Sequence, residues 1–150
     1  MTLPMTTIYI DGDACPVKAE VFRAADRRSL PVIVVANAHM RTPPNVEVVV
    51  VSAGMDAADD WIADKCAPCD VVVTADIELA SRVLAAGAAA IDHRSKEFTP
   101  DNIGAAVAMR DLMKNVRQMT GREFGPRPMS ERDRRAFMKA FSALLERLSR

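Results

Sequence analysis

Aspartates follow four of the five apolar runs in this sequence that are typical of β-strands. In chain order they are Asp11 and Asp13, then Asp56, Asp59 and Asp60, then Asp76, and finally Asp92. Open α/β sheets bind ligands at the carboxyl ends of their strands, so we expect these side chains to converge there. Carboxylates held close together repel one another unless a cation neutralises them, and Mg²⁺ and Mn²⁺ prefer such oxygen ligands. The pattern therefore indicates a divalent-metal site.

Some of these acids also have a structural interpretation. Asp56 and Asp76 stand where helix N-caps are expected, and Asp59 would then occupy the third helical position. Asp11 and Asp13 are harder to explain in this way, because a strand end gains nothing from two acids. We therefore favour a functional role for that pair. Asp70, at the entrance of a strand, is expected on the solvated surface.

The elements that must position these acids alternate between β-like and helical patterns. Apolar runs rich in Val and Ile predict strands at residues 8–10, 32–35, 46–51 and 71–73, and a short apolar run predicts another at residues 88–91. Helical periodicity follows Pro16 and returns at residues 56–66, 76–86 and 103–119. Because the strand runs lack alternation, both faces should be covered, as in parallel sheets. We predict an α/β fold, a three-layer sandwich with a mostly parallel five-stranded sheet and C-terminal helices. The link at residues 37–45 is short for a parallel crossover.

The C-terminal part of the chain predicts a loop and a final helix. Residues 121–129 contain two glycines and two prolines, which favour an irregular loop. Ser130, followed three residues later by Asp133, is a capping signature for a helix at residues 130–148. The apolar residues of that helix share one face, which should dock on the sheet. We expect residues 1–150 to form a single domain.

Length and composition exclude several classes of protein. The chain has 150 residues, of which 49% are hydrophobic. No apolar run approaches the ~20 residues that cross a bilayer, and the first residues lack the pattern of a secretory signal. We therefore expect a cytoplasmic protein without a membrane partner. Cys66 and Cys69 are poorly placed for redox or zinc chemistry, and three cysteines cannot pair completely, so we expect no disulfide-linked partner.

Charge is distributed unevenly along the chain. The totals balance at 20 Lys+Arg and 20 Asp+Glu, but residues 1–100 are net acidic and residues 101–150 are net basic. A basic tail on an acidic body indicates a nucleic-acid partner or, equally, ordinary charged helix faces. With one Trp and one Tyr, the chain is poorly equipped to stack bases on aromatic side chains.

The first motif allows a second chemistry. Asp11-Gly12-Asp13 after an apolar strand resembles the haloacid dehalogenase phosphatases, whose first Asp is a nucleophile. Those enzymes also need a Ser or Thr after another strand, for which Thr74 is a candidate. Their Lys and late acidic pair are not evident in this sequence. An aspartate-nucleophile phosphatase therefore stays an alternative.

Five motifs taken together resemble one family. They are Asp-Gly-Asp-Ala-Cys-Pro-Val-Lys at residues 11–18, Asp-Ala-Ala-Asp with Trp-Ile at 56–62, Thr-Ala-Asp-Ile with Leu-Ala at 74–80, Gly-Pro-Arg-Pro at 125–128 and Ser-Glu-Arg-Asp-Arg at 130–134. The set is similar to the YaiI/YqxD family of uncharacterised bacterial proteins over nearly the whole chain. That family is grouped by resemblance with PIN-like nuclease domains, in which acids at the strand ends of a parallel sheet hold Mg²⁺ or Mn²⁺.

The resemblance implies a PIN-like, metal-dependent ribonuclease. Its catalytic residues would be Asp11, Asp13, Asp59 and Asp76, and the same four with Asp56 would hold the metal ion. Because an acidic site repels phosphates, other residues must bind the substrate, which we expect to be RNA. The candidates are Lys18, Asn37, Arg94, Arg110 and Arg127, with His93 as a candidate proton carrier. A protein of the same fold that binds RNA or a partner without cleaving it stays the other alternative.

Overall fold

Strands and helices alternate along most of the chain. The computed structural model describes residues 5–12, 15–54, 56–121 and 127–149. The strands are β1 (Ile8–Asp11), β2 (Val32–Ala36), β3 (Val46–Val50), β4 (Val71–Val73), β5 (Ala89–Ile91) and β6 (Glu97–Phe98). The helices are α1 (Lys18–Arg28), α2 (Ala57–Lys65), α3 (Ile77–Ala85), α4 (Ile103–Thr120) and α5 (Glu131–Leu148).

The strands form one sheet in the order β3-β2-β1-β4-β5-β6. All pairs from β3 to β5 are parallel, which confirms the predicted mostly parallel sheet. The order reverses between β1 and β4, and open α/β sheets bind ligands in the crevice at such a switch point. Asp11 ends β1 at this point, and Thr74 directly follows β4. The topology therefore brings Asp11 and Asp76 to the same crevice.

The sheet has one strand more than the predicted five, so that count was wrong. The sixth strand, β6, pairs antiparallel with β5. Asp92 stabilises the turn between them, because its Oδ1 accepts hydrogen bonds from the backbone N–H groups of Arg94 and Lys96, each at 2.9 Å. A two-residue strand contains no alternation for a sequence pattern to detect.

The short link between β2 and β3 makes a parallel crossover without a helix. Val32 to Ala36 pair with Val46 to Val50 in parallel register, although residues 37–45 contain no helix. The Thr42 hydroxyl donates to the carbonyl oxygen of Val46 at 3.2 Å and stabilises the return of the chain. Without a crossover helix β3 is incompletely covered, and Val50 is 53% exposed.

Helices cover both faces of the sheet and complete the predicted three layers. On one face, α1 and α5 contribute Val21 and Phe141 to a buried cluster that includes residues of β1, β2 and β4. On the other face, α2, α3 and α4 contribute Ile62, Leu79 and Ala106 to a second buried cluster. The predicted docking of the last helix on the sheet is confirmed.

The predicted capping signature of α5 is confirmed. The Ser130 Oγ accepts from the backbone N–H of Asp133 at 3.1 Å, and the Asp133 carboxylate accepts from the backbone N–H of Ser130 at 3.1 Å. Of the predicted loop at 121–129, residues 122–126 lie outside the described residues. Residues 127–130 belong to neither a helix nor a strand.

Asp70 is buried, so the prediction of a solvated residue was wrong. Its side chain accepts hydrogen bonds from the backbone N–H groups of Thr7 at 3.0 Å and Ala67 at 2.9 Å. The residue is 7% exposed. A carboxylate can be buried when backbone donors satisfy its oxygens. Thr7 is distant in sequence, so no local pattern could indicate this bond.

The described residues contain neither a helix that could span a membrane nor a disulfide bond. None of the helices in this part of the chain combines the length and the apolar character that crossing a membrane requires. All three cysteines are free thiols, and Cys66 is buried.

Gly12, between the two acids of the first motif, is in tight contact with β2. A Cβ atom at this position would lie 2.6 Å from Val34 Cγ1 and 3.1 Å from the carbonyl oxygen of Val35. Both neighbours are fully buried, so neither can move cheaply. We expect Gly12→Ala to lower the free energy of unfolding by about 1–3 kcal/mol in urea titrations, as overpacking does. Gly104→Ala is the control: nothing lies within 4 Å of its added Cβ, and its helical position should favour Ala. Equal stability of Gly12→Ala and the wild type would contradict the predicted clash.

Candidate functional site

Thr74 joins two of the predicted acids. Its hydroxyl donates to Asp11 Oδ2 at 3.2 Å, and its oxygen accepts from the backbone N–H of Asp76 at 3.0 Å. Thr74 is only 4% exposed, so these bonds are shielded from water. The end of β1 and the start of α3 are therefore held in a fixed relation by one side chain.

Asp76 is the N-cap of α3, as its structural interpretation proposed. One oxygen, Oδ1, accepts from the backbone N–H groups of Glu78 at 2.9 Å and Leu79 at 3.1 Å. The cap fixes the direction of the carboxylate. Asp56 also stands at an N-cap position, that of α2, but its side chain makes no capping hydrogen bond.

Asp59 occupies the third position of α2, as predicted, and reaches the other acids. Partial burial, followed by the negative charges of Asp76 and Asp11, raises the pKa of Asp59 to about 7 from its ordinary 3.8. A hydrogen bond between the Asp59 and Asp76 side chains and the charge of Asp56 act in the same direction. Four of the five predicted metal ligands are thus electrostatically coupled in the folded chain.

A cavity of about 240 Å³ opens at this point. Asp11, Thr74 and Asp76 line it together with Cys15 and His93, and neither Lys nor Arg is among its described lining residues. Burial raises the pKa of the Cys15 thiol, which keeps it neutral at physiological pH. The charges that face the cavity are therefore negative.

The described acids are the type of ligand that a hard divalent cation binds, but they are too few to complete its coordination shell. Carboxylate oxygens of converging acids are the ligands that Mg²⁺ and Mn²⁺ take, and an added cation would relieve the repulsion that raises the pKa of Asp59. Within the described residues, however, no three His, Cys, Asp or Glu side chains are grouped closely enough to hold one ion. Asp13 lies outside the described residues. It and water or substrate oxygens would have to complete the coordination shell.

Two other acids that follow strands do not join the site. Asp60 points to Arg82, with which it forms an exposed ion pair at 2.8 Å. Asp92 is used in the turn before β6. The strand-end rule therefore selected Asp11, Asp59 and Asp76, which interact in the structure, together with acids that have local roles.

The five predicted substrate-binding residues do not form one cluster. Lys18 opens α1, and its charge acts on the Cys15 thiol. Asn37 directly follows β2 and is exposed. Arg94, the neighbour of His93, donates to the carbonyl oxygen of Arg127. None of these four lies among the described residues lining the acidic cavity. The fifth, Arg110, lines a second cavity.

This second cavity, of about 430 Å³, lies between the start of α3 and the middle of α4. It shares Ala75 and Asp76 with the acidic cavity, so the two cavities adjoin at the N-cap of α3. Arg110, Lys114 and Arg117 line it from α4. Sequence reasoning did not single out Lys114 and Arg117, but Lys114 lies four residues after Arg110 and Arg117 three residues after Lys114, which places all three on one helix face. Thr74 was considered from the sequence only as part of a phosphatase motif. Its position between Asp11 and Asp76 is evident only from its hydrogen bonds in the structure.

The raised pKa of Asp59 gives protein stability a defined pH dependence. The folded state holds the Asp59 proton more tightly than the unfolded state, in which the pKa is near 3.8. This contribution to stability is complete below pH 4, is lost progressively as the pH rises, and is absent above pH 7. An unscreened shift of this size is worth about 4 kcal/mol, which solvent around a half-buried group reduces to about 1–2 kcal/mol.

In metal-free urea titrations, Asp59→Asn should therefore gain about 1–2 kcal/mol over the wild type at pH 8 and much less at pH 4.5. Asp64→Asn, an exposed change on the same helix, is the matched control. A gain for Asp59→Asn that is equal at both pH values would contradict the expected coupling.

Comparisons with known proteins agree on one family. A family model described as the uncharacterised YaiI/YqxD family matches residues 9–147. A UPF0178 protein of Rhodopseudomonas palustris is 49% identical over 152 residues, covering 100% of this chain and 96% of that protein. A UPF0178 protein of Bradyrhizobium diazoefficiens is 49% identical, with 100% and 91% covered, and one of Parvibaculum lavamentivorans is 48% identical, with 97% of each chain covered. No solved structure matches the chain.

Proposed function

The chain belongs to the YaiI/YqxD family of uncharacterised bacterial proteins, and because that membership names no activity, we propose one from the site: metal-dependent hydrolysis of a phosphodiester bond in RNA. One observation carries the proposal. Asp11, Asp59 and Asp76 come from three separate segments; Thr74 links Asp11 to Asp76 at the sheet's switch point, and burial together with the charges of Asp76 and Asp11 raises the pKa of Asp59 to about 7. A fold gains no stability from such repulsion, so a function is the better explanation.

Asp11, Asp13, Asp59 and Asp76 would hold Mg²⁺ or Mn²⁺, with Asp56 as a further or outer ligand. A divalent ion supplies stabilisation of the charge that develops on the phosphate and lowers the pKa of bound water. The chain's own residues prepare the site. Thr74 fixes one oxygen of Asp11, and the N-cap bonds fix one oxygen of Asp76.

Hydrolysis also requires two proton movements. A bond forms between the water oxygen and phosphorus, and the bond from phosphorus to the leaving oxygen breaks. The water gives a proton to a carboxylate of the acidic site, and the leaving oxygen gains one. His93 lines the cavity and is the candidate donor to the leaving oxygen. Arg94 and Arg127, in contact beside it, are candidates to bind phosphate oxygens.

The proposal extends to the fold family of the domain and to the cellular compartment in which the protein acts. The parallel sheet with acids at its switch point supports a PIN-like domain across residues 1–150. We further propose that the protein acts in the cytoplasm, where RNA and Mg²⁺ are both present.

A second candidate function has one specific observation in its favour. In an aspartate-nucleophile phosphatase a hydroxyl after a neighbouring strand faces the nucleophile, and Thr74 donates to Asp11 in this manner. Against it, the described lining of the acidic cavity contains no Lys. Binding of RNA or a partner without cleavage is the third possibility and differs from the first only in turnover.

One assay separates the three functions. The protein, freed of metal with a chelator, is incubated with labelled RNA, DNA of the same sequence, bis(p-nitrophenyl) phosphate and p-nitrophenyl phosphate, with Mg²⁺, Mn²⁺ or chelator. The proposal expects cleavage of RNA and of the diester that requires the cation. Turnover of the monoester alone would instead support the phosphatase. RNA binding without turnover under every condition would support the non-catalytic alternative.

A further inference from the structure

The second cavity adjoins the acidic one at the N-cap of α3, and α4 lines it with cations. Asp76 and Glu78 line it from the start of α3, and Arg110, Asp111, Lys114 and Arg117 line it from α4. We propose that this groove binds the backbone phosphates of a nucleic-acid strand next to the phosphate that is cleaved. The inference rests on the proposed function, since it names where the rest of that substrate lies.

Two cations of the groove, Lys114 and Arg117, are not held in ion pairs with other described residues. Arg110 is paired with Glu78 at 3.2 Å and with Asp111 at 3.1 Å. For Lys114 and Arg117, no carboxylate of the described residues lies within ion-pair distance, and both are exposed. Exposed cations with no internal partner can bind phosphates without first breaking an ion pair.

The helix that carries these cations is little used in the core. Of the 18 residues of α4, Ala106 is the buried one. Arg110 and Arg117 are separated by seven residues, which is about 10 Å along a helix axis. Each strand of a double helix carries one phosphate per about 3.4 Å of axis, so this distance corresponds to the axial rise of two or three phosphates. The face of α4 is therefore long enough for more than one phosphate.

Aromatic stacking contributes little to this groove. The single Trp and single Tyr of the chain, Trp61 and Tyr9, pack against each other with ring centroids 6.2 Å apart. Binding through phosphates alone is independent of base sequence and weakens steeply with salt. Both properties are therefore expected of the groove.

The test measures binding without cleavage. Fluorescence anisotropy follows a labelled 15-nucleotide single-stranded RNA, and DNA of the same sequence, with chelator present over a range of salt concentrations. The variant is Lys114→Glu/Arg117→Glu. The matched control is Arg135→Glu/Lys139→Glu, which makes the same charge change on exposed residues of α5 in the opposite layer.

The groove variant should bind at least about tenfold more weakly, and its slope of log K against log salt should fall by about 1.4, the value for two lost contacts to a single strand. The control should change by less than about threefold, because its charges are distant and screened. Lys114→Gln/Arg117→Gln should give an intermediate loss and guards against misfolding of the charge-reversed chain. Equal affinity for RNA and DNA would identify phosphates alone as the ligand, and tighter RNA binding would add a 2′-hydroxyl contact; both support the groove.

Equal losses in groove and control variants, or no binding by the wild type, would overturn the inference. The test is independent of the proposed function, because binding is measured without turnover. A protein that cleaves RNA but binds equally well after Lys114→Glu/Arg117→Glu refutes the groove alone. A protein that binds through the groove but cleaves nothing refutes the nuclease alone.

Discussion

Asp11→Asn is expected to lower metal-dependent cleavage by at least about 100-fold, since losing even an outer partner of a metal ligand costs 10–100-fold. The amide keeps the size of the side chain and can still accept the hydrogen bond from Thr74, so the fold should be unchanged. It removes one negative charge at the centre of the site. In the wild type, calorimetry should detect Mn²⁺ binding that the variant lacks.

Asp64→Asn is the control, because it makes the same chemical change at an exposed position of α2. It should retain both cleavage and Mn²⁺ binding. Cleavage by Asp11→Asn at the wild-type rate would remove Asp11 from the reaction and leave its contact with Thr74 as a structural bond. Loss of cleavage with full Mn²⁺ binding would instead favour a nucleophilic role, as in the phosphatase alternative.

Phe141→Ala should have the largest effect on stability, lowering the free energy of unfolding by about 3–5 kcal/mol. Phe141 is fully buried and stacks on Phe137 with ring centroids 5.3 Å apart and an interplanar angle of 14°. It lies in the cluster that attaches α5 to α1 and the sheet. Truncation leaves a cavity between layers, because strands on one side and helices on the other limit collapse.

Urea unfolding with a matched exposed change measures this effect. Lys139→Ala, two residues earlier on the same helix, should change stability by less than about 0.5 kcal/mol. If Phe141→Ala costs no more than Lys139→Ala, then α5 does not belong to the cooperative core. An intermediate cost of about 1 kcal/mol would mean that Phe137 and its neighbours fill the space.

The sequence predicted the elements of the fold well wherever their patterns were local. Runs rich in Val and Ile located β1 to β4, a short apolar run ending at Ile91 located β5, and Ser130 with Asp133 located the start of α5. The order of strands in the sheet carries no local signal, because it depends on which surfaces the helices cover. The antiparallel β6 was missed for a different reason, since two residues cannot establish a period.

The acids of the candidate site were predicted because they follow strands, and the cap predicted for Asp76 is confirmed, while their catalytic and metal-binding roles stay predictions. Asp76 is both an N-cap and a member of the coupled cluster, so the structural and functional interpretations do not exclude each other. The bridging role of Thr74 was missed because its partner Asp11 is distant in sequence, and Lys114 and Arg117 of α4 were missed because exposed cations without an ion-pair partner among the described residues give no local signal. Asp70 illustrates the same limit, because the backbone N–H of Thr7 that donates to its carboxylate is close to it only in the folded chain.

The incomplete cover of β3 bears on how the purified protein behaves in solution. In the described part of the chain no strand pairs with the outer side of β3, so its backbone can accept a strand from another molecule. The run from Val46 to Val51 is interrupted by one charge, that of the exposed Glu47. The chain has no formal net charge at pH 7, so long-range repulsion between molecules is weak there. We expect the charge of Glu47 to be what keeps this edge from pairing with other molecules and aggregating at neutral pH.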